Sequence, residues 1–381
     1  MENTFTLQKL IEFESCLCVG AFGDTLILGF PSHLTVLSNQ TSHSIPWVSS
    51  PPIQICIESS SCAVMTQNHI FLIPLSSLGS ECLPMWRRFF EKDYLNLTSR
   101  PPDSLLEEVV ETIGGCLAGR ERSIDNSLDV SLIETKDAPC GVYFWREYLL
   151  LFFKKGCLVV NFRNLGLQSK VQFNSEVQTV QVLEEVVLLK GRSLSVLYTR
   201  DLLESREVNL TELELQNATL QYFGCQVVLA TLNPGRVDLF KLESCSFPFK
   251  SFELPNSSYQ KLCVWKSFLV LFREKKLEVF PQISNKNLSF PNKPKPLAKV
   301  CVCSSCQRKQ SLPGMNYSTW LNWNNLLWKH NCSFECTELL NNSLNLIVVG
   351  HDSVHELSIQ ETQSTQEVLG AVENCDIVTI N

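Results

Sequence analysis

The residues with the clearest potential for chemistry are cysteines that lie close together late in the chain. Cys303 and Cys306 form a C-x-x-C pair, and His330, Cys332 and Cys336 follow after a further loop. Two thiolates at this spacing can hold one zinc ion through a tight turn, and two more ligands complete a tetrahedron. The spacing predicts a zinc site made by Cys303, Cys306, Cys332 and Cys336, in which His330 could replace one thiol.

The cysteine content of the whole chain gives a competing interpretation. The sequence has 17 cysteines, an odd number, and they are scattered along the chain. Cysteines used in this way are typical of reduced thiols that act as small apolar side chains, and clusters then arise by chance. We therefore predict no cofactor, with zinc at the 301–336 cluster as the alternative.

Motifs for enzymatic chemistry are missing from the sequence. It contains no H-E-x-x-H, no G-x-G-x-x-G, no G-x-x-x-x-G-K-S/T and no G-x-S-x-G. His351 and His355 are four residues apart in an alternating segment that predicts a strand, where this spacing separates them by about 13 Å, too far for one ion. We predict a non-catalytic protein; the enzymatic alternative is a hydrolase whose paired carboxylates converge only in space.

The elements that carry these residues follow a repeated pattern. A short apolar run meets a polar or glycine-containing turn, and a second run then alternates apolar and polar residues, which predicts a β-hairpin. Four copies, spaced roughly forty residues apart, match the period of a four-stranded propeller blade. These copies are YLLLFFKKGCLVVNF from Tyr148, EVVLLKGRSLSVLY from Glu185, QVVLATLNPGRVDLF from Gln226 and SFLVLFREKKLEVF from Ser267.

Three weaker copies bring the number of predicted hairpins to seven. They begin at Thr25, Cys62 and Leu344. Further short apolar segments from Ile53, Val177 and Gln260 supply inner strands. The copies predict an all-β chain, a single domain over residues 1–381 of the seven-bladed propeller type, in which the first and last segments share a blade.

Two insertions interrupt the repeat. The first, at about 80–128, is predicted to be helical, because Ser104 and Glu107 form a capping box ahead of an apolar stripe that ends at Gly114. Its upstream part, MWRRFFEKDYL, fits either a short helix or an exposed recognition loop. The second, at about 284–336, is rich in Pro, Lys, Cys and Trp and predicts an extended loop, with a small helix around Trp320, Trp323 and Trp328.

In hairpin form and period the chain resembles the degenerate WD-repeat propeller superfamily. Asn161-Phe162, Asp238-Leu239 and Glu278-Val279 lie in the second strands of the hairpins, where no Trp-Asp dipeptide occurs, and Gly350-His351 falls in a turn. The resemblance implies a scaffold that binds other protein subunits in a nuclear repair-type or cytoplasmic trafficking-type complex.

The charge pattern bears on the class of partner. The formal net charge is −7, and no Lys or Arg occurs after Lys329. This acidic end disfavours contact with nucleic acid and indicates either a basic partner or a charge that only serves solubility. The basic stretch from Lys293 to Lys309 leaves a zinc-stabilised adaptor or nucleic-acid module at 301–336 as an alternative. The acidic first residues and the absence of a long apolar run predict a non-secreted protein of the cytoplasm or nucleus, without a membrane span.

Overall fold

The structure is a computed structural model that describes most of the chain. The described residues are 4–13, 15–38, 41–93, 116–119, 128, 130–135, 138–163, 166–191, 194–199, 208–209, 218–223, 226–242, 248, 250–265, 268–281, 318–320, 326–342 and 345–360.

Strands dominate these residues. They are β1 (Thr4–Glu12), β2 (Cys18–Phe22), β3 (Thr25–Gly29), β4 (His33–Ser38), β5 (Thr41–Pro46), β6 (Gln54–Glu58), β7 (Ser61–Met65), β8 (His69–Pro74), β9 (Cys116–Gly119), β10 (Ser131–Thr135), β11 (Gly141–Trp145), β12 (Tyr148–Phe153), β13 (Gly156–Asn161), β14 (Leu167–Gln172), β15 (Val177–Leu183), β16 (Val186–Gly191), β17 (Leu194–Tyr198), β18 (Val208–Asn209), β19 (Ala218–Phe223), β20 (Gln226–Asn233), β21 (Arg236–Phe240), β22 (Lys250–Glu253), β23 (Lys261–Trp265), β24 (Phe268–Arg273), β25 (Lys276–Pro281), β26 (Ser318–Trp320), β27 (Trp328–Asn331), β28 (Cys336–Asn342), β29 (Asn345–Gly350) and β30 (Ser353–Gln360).

The strands form the seven sheets of a seven-bladed β-propeller, which confirms the predicted fold class. From inner to outer strand, blade 1 is β2-β3-β4-β5, blade 2 is β6-β7-β8-β10-β9, blade 3 is β11-β12-β13-β14, blade 4 is β15-β16-β17-β18, blade 5 is β19-β20-β21-β22-β26, blade 6 is β23-β24-β25-β27 and blade 7 is β28-β29-β30-β1. Each of the seven predicted hairpins supplies the two middle strands of one blade.

Blade 7 shows how the two ends of the repeat are joined. The N-terminal strand β1 pairs antiparallel with β30, from Thr4 opposite Gln360 to Glu12 opposite Ser353. The predicted sharing of a blade by distant segments is therefore seen for the N-terminal strand. The last segment of the chain, from Cys375, lies outside the described residues.

The chain divides into two compact units. The first contains Met1–Leu220 and Cys332–Asn381, and the second contains Gln221–Asn331. Blades 7, 1, 2, 3 and 4 lie in the first unit, while most of blade 5 and all of blade 6 lie in the second.

Middle strands are apolar on both faces because blades pack face to face. In the first unit Met65 and Ile70 of blade 2 share one core cluster with Val142 and Leu151 of blade 3. In the second unit every residue of β24 is buried. Burial on both faces explains why these hairpins carry continuous apolar runs in the sequence.

Glutamine side chains connect the innermost strands, whose inner edges carry backbone groups without a neighbouring strand. Gln54 Nε2 donates to Val142 O at 3.1 Å, and Val142 N donates to Gln54 Oε1 at 2.9 Å, so one amide satisfies a donor and an acceptor. Gln181 makes the same two bonds with Leu220 in the first unit, and in the second unit Val264 N donates to Gln221 Oε1 at 2.9 Å.

Residues 82–90 of the first insertion pack into a core cluster of the first unit. Helix α1 (Leu83–Arg88) lies between a 3₁₀ turn at Ser80–Cys82 and a π turn at Phe89–Asp93, and another 3₁₀ turn spans Leu75–Leu78. Trp86 Nε1 donates to Ser77 O at 2.7 Å. The segment MWRRFF is therefore a short helix with buried aromatic side chains, Trp86, Phe89 and Phe90.

Elsewhere in the first insertion, one segment differs from the helical prediction and another lies outside the described residues. β9 adds a fifth strand to blade 2 through antiparallel pairing with β10, so residues 116–119 are a strand. The helix predicted around Ser104 and Glu107 lies outside the described residues.

The second insertion contains strands where we predicted a helix around the tryptophans. Trp320 ends β26, which pairs in parallel with β22, and Trp328 begins β27, the fourth strand of blade 6. The helix is wrong for these two positions because the backbone groups of β22 and β25 offer sheet edges that pair with them. Trp323 lies outside the described residues.

Candidate interaction site

The structure places the predicted zinc ligands in different settings. Cys303 and Cys306 lie outside the described residues. Cys332 and Cys336 are buried, and Cys336 Sγ donates to Glu338 O at 3.2 Å. His330 is exposed on β27, where its ring stacks on Trp328 with centroids 5.5 Å apart.

Zinc at the 301–336 cluster therefore stays a prediction. Within the described ranges, no group of three or more His, Cys, Asp or Glu side chains could hold a metal ion. We expect about one equivalent of zinc by mass spectrometry if the ion is bound, and its loss on Cys303→Ser with Cys306→Ser. An unchanged zinc content in this variant would rule out the predicted ligand set.

The cysteines near the start of blades 1 and 2 are free thiols. Burial raises the pKa of Cys16 to about 11 and, together with the charge of Glu58, also raises the pKa of Cys56 to about 11. Thiols with such pKa values are protonated near neutral pH, and the protonated form is a poor nucleophile and a poor metal ligand. These cysteines act as small core side chains.

The histidines of the HDSVH segment lie on the β29–β30 hairpin, as the alternating pattern predicts. His351 is exposed in the turn, and His355 is buried in β30. The His355 ring stacks on Phe334 with centroids 4.3 Å apart, and its Nε2 lies 3.1 Å from Ser353 Oγ. His355 therefore serves the packing of blade 7.

Blade 6 contains a buried polar network around Glu278, which is fully buried. Tyr259 Oη donates to Glu278 Oε2 at 2.5 Å, and Arg273 Nη2 donates to Glu278 Oε1 at 3.2 Å. Lys329 Nζ lies 3.8 Å from the same carboxylate oxygen. Burial, followed by the bond to Glu278, raises the pKa of Tyr259.

Blade 5 has an acid at the corresponding position of its hairpin. Asp238 Oδ1 accepts from Arg236 Nε at 2.6 Å and from Ser251 Oγ at 2.5 Å, and Asn233 Nδ2 lies 3.4 Å from Oδ2. In both networks the polar groups satisfy one another inside the blade. This arrangement stabilises each hairpin and keeps both acids buried.

A small set of exposed large apolar side chains stands out among the described residues. They are Leu17, Phe22, Val48, Ile53 and Leu327. Large apolar side chains grouped on an otherwise polar surface mark binding sites more often than single ones do. Leu17, Val48 and Ile53 lie at the same end of blades 1 and 2, as the backbone contacts below show, and we call these three residues the apolar patch.

Leu17 and Ile53 occupy matching positions, each immediately before the innermost strand of its blade. Leu17 N donates to Gly29 O at 2.8 Å, and Ile53 N donates to Met65 O at 2.7 Å. A Cβ on Gly29 would lie 2.8 Å from Pro52 Cγ, so the chain beside Leu17 touches the residue before Ile53. The two side chains therefore belong to one surface at the same end of blades 1 and 2.

Val48 joins this surface through its neighbour. Trp47 is buried, its N donates to Ser32 O at 2.8 Å in the β3–β4 turn, and its Nε1 donates to Ser50 O at 3.0 Å. These bonds fix the backbone beside Val48, whose side chain is 65% exposed. The backbone that carries Val48 is thus held by hydrogen bonds at this end of blade 1.

The sequence pattern alone does not reveal the apolar patch. Ile53 opens the segment that predicts an inner strand, and Leu17 directly precedes β2. The available signal was an apolar residue just before each of two consecutive inner strands. Whether such a residue faces the core or the solvent depends on the blade geometry, which the sequence pattern does not contain.

Comparison with solved structures supports the fold. The WD40 propeller domain of Doa1 matches with a TM-score of 0.52 at 9% identity, covering 94% of this chain and 98% of that chain. Hsv2 of Kluyveromyces lactis gives 0.51 at 10% identity (92% and 98% covered), and Sqt1 of Saccharomyces cerevisiae gives 0.50 at 10% (95% and 100% covered). No protein-family model and no curated protein matches the chain. The resemblance to WD-repeat propellers is confirmed at the level of the fold.

Among the described residues, no helix has the length and apolar character needed to span a membrane.

Proposed function

We propose that this protein is a non-catalytic β-propeller scaffold that binds other protein subunits of a larger assembly. The apolar patch is the observation that carries this proposal, since three large apolar side chains stay exposed on backbone held by hydrogen bonds. Exposure of this kind costs solubility unless a partner covers the surface.

The polar interior of the described blades supports a non-catalytic role. The buried acids Asp238 and Glu278 are bonded to partners of their own blades, and the buried His355 packs on an aromatic ring. Catalytic acids and bases need to reach a substrate from a cleft. Carboxylates engaged in this way stabilise their hairpins instead.

The WD40 propellers that share the fold make a protein-binding role a natural expectation, although the fold alone hosts many functions. A nuclear repair-type and a cytoplasmic trafficking-type complex are both consistent with this proposal, as is a location in the cytoplasm, the nucleus or both. Direct contact with nucleic acid is not part of it, because the part of the chain after Lys329 carries acids and no Lys or Arg.

The test is purification of the tagged full chain from the cells that express it, followed by size-exclusion chromatography with light scattering and cross-linking mass spectrometry. We expect elution with one or more proteins at constant stoichiometry, with cross-links to the propeller. A chain recovered only as a monomer, at its natural expression level and without cross-linked subunits, would overturn the proposal.

A further inference from the structure

The surroundings of the apolar patch define the chemistry of a partner, an inference that rests on the proposed scaffold function. We propose that the patch binds an extended peptide segment of a partner protein in which a bulky apolar residue lies next to Lys or Arg. The apolar residue packs on Leu17, Val48 and Ile53, and the basic residue pairs with acids of blade 7.

Asp352 provides the first acid at this border. It is exposed in the β29–β30 turn, and its carbonyl accepts from Phe13 N at 2.8 Å. The Phe13 ring contacts Phe30 edge to face, with centroids 5.6 Å apart, and Phe30 directly follows Gly29, the acceptor of the Leu17 bond. A chain of direct contacts therefore connects Asp352 to the patch.

Glu335 provides the second acid. It is exposed directly before β28, the innermost strand of blade 7, and this position matches those of Leu17 and Ile53 in blades 1 and 2. Phe334 beside it is buried, and a Cβ on Gly350 would lie 2.6 Å from its ring. Since β28 packs against β2, Glu335 lies at the same end of the propeller, one blade from Leu17.

A third acid strengthens the negative field on this side. Glu338 of β28 is close enough to Cys16 and Cys18 to add to the rise in pKa that burial gives both thiols. These cysteines flank Leu17 in the sequence. A negative potential therefore reaches the backbone that carries the patch, and it attracts a cation.

The charges on the other side of the patch are mixed. Lys154 and Lys155 form the β12–β13 turn, and Val177 N donates to Lys154 O at 2.8 Å, which brings exposed Glu176 next to these lysines. Two lysines and one acid thus lie near this turn, whereas Asp352 and Glu335 border the patch on the blade 7 side. This asymmetry gives a bound peptide a preferred direction, with its basic residue toward Asp352 and Glu335.

Acids at the border also decide between classes of partner. Nucleic acids and anionic lipid surfaces carry phosphates that Asp352, Glu335 and Glu338 repel. A basic and apolar peptide satisfies both parts of the surface at once. The charge and the apolar area together therefore favour a protein segment.

The experiment selects peptides from a random library displayed on phage, using the full chain as bait. We expect enriched peptides to combine Leu, Ile, Phe or Trp with a neighbouring Lys or Arg. For a selected peptide, titration calorimetry should show an affinity at least about tenfold weaker with Leu17→Ser, Val48→Ser and Ile53→Ser combined, the size typical of central contacts.

Matched variants separate the two parts of the surface. Phe22→Ser is the apolar control, because Phe22 is exposed at the opposite end of the same strand β2. The affinity of this variant for the selected peptide should equal that of the natural chain. Glu335→Lys with Asp352→Lys should weaken binding of the same peptide and reduce the dependence of its affinity on salt. Circular dichroism checks that each variant is folded.

Several results would overturn the proposal. Enriched peptides that are neutral or acidic, equal enrichment on the triple Ser variant, or no enrichment at all would each do so. A dimer of this chain that the triple Ser variant dissociates would assign the patch to a second copy instead. If the peptide selection gives one of these contrary results while the natural chain still elutes with partner subunits, the scaffold function is retained and only the proposed role of the patch is overturned.

Discussion

Three hairpins with the same backbone register differ in what they bury. In β12–β13 Phe153 pairs with Gly156, in β20–β21 Asn233 pairs with Arg236, and in β24–β25 Arg273 pairs with Lys276. The position two residues further along the second strand of each hairpin is occupied by Leu158 in blade 3, Asp238 in blade 5 and Glu278 in blade 6. All three side chains are buried.

The difference shows that this position in a blade requires burial but does not require an apolar residue. Leu158 fits because it packs in the cluster between blades 2 and 3. Glu278 fits because Tyr259 and Arg273 come with it and occupy its oxygen atoms. A buried charge without such partners would destabilise the blade by several kcal/mol.

The largest expected effect comes from removing the acid of blade 6. Glu278→Ala leaves the Arg273 guanidinium buried without its main partner and leaves the Tyr259 hydroxyl without its acceptor. We expect the free energy of unfolding to fall by about 3–5 kcal/mol, as for other broken buried ion pairs. Urea unfolding followed by circular dichroism measures it, and a loss below about 1 kcal/mol would show that the network is not buried as described.

A second variant tests whether blade 6 tolerates apolar residues at this buried position, as blade 3 does with Leu158. Glu278→Leu combined with Arg273→Leu and Tyr259→Phe replaces the acid and its two hydrogen-bond donors by apolar side chains and leaves only Lys329, whose side chain is 38% exposed. We expect a stability within about 1–2 kcal/mol of the natural chain, because replacing a whole buried ion pair by apolar residues is often neutral or stabilising. The same urea titration reports it, and a loss as large as that of Glu278→Ala would contradict the comparison.

The acid of blade 5 should contribute less than that of blade 6. Asp238 is buried, but the Arg236 side chain that bonds to it is 41% exposed, so water can solvate the guanidinium when the acid is removed. We expect Asp238→Ala to cost about 1–3 kcal/mol, the range for a lost hydrogen bond to a charged group. Thermal and urea unfolding, run beside Glu278→Ala, test the order of the two effects.

Alkaline pH probes the same network through Tyr259. Burial and Glu278 raise the pKa of this phenol, so the folded chain keeps the proton when the unfolded chain loses it near pH 10. The contribution of Tyr259 to the free energy of unfolding is therefore fully present below about pH 10 and decreases as the pH rises above that value. Tyr259→Phe should show a shallower loss of stability between about pH 10 and 11 than the natural chain, measured by urea unfolding.

The smallest expected effect concerns the turns. In blade 6 Glu274 has φ 44° and Lys275 has φ 63°, a left-handed conformation that glycine adopts more easily. Lys275→Gly should raise stability by about 0.5–1 kcal/mol. Lys155→Gly in blade 3 is the control, since the described residues with positive φ do not include Lys154 or Lys155, and it should bring no gain.

The positions of the hairpins could be predicted from the sequence because strands buried on both faces consist of consecutive apolar residues. It also located Asp238 and Glu278 in the second strands of their hairpins. It did not show that these acids are buried, since Arg273 and Tyr259 reach Glu278 only when β24, β25 and the segment before β23 come together. The predicted helix around the tryptophans is wrong for a related reason: Trp320 and Trp328 lie in strands because they pair with sheet edges formed elsewhere in the chain.

By itself the sequence determined the number of hairpins, their turns and the propeller class, because these depend on residues close together along the chain. Only the tertiary structure decided which end of a blade a residue occupies and what lies beside it. Leu17, Ile53 and Glu335 are far apart in the sequence, yet they occupy matching positions in adjacent blades. The physical reason is that a propeller aligns the starts of its innermost strands, so that distant single residues form one surface.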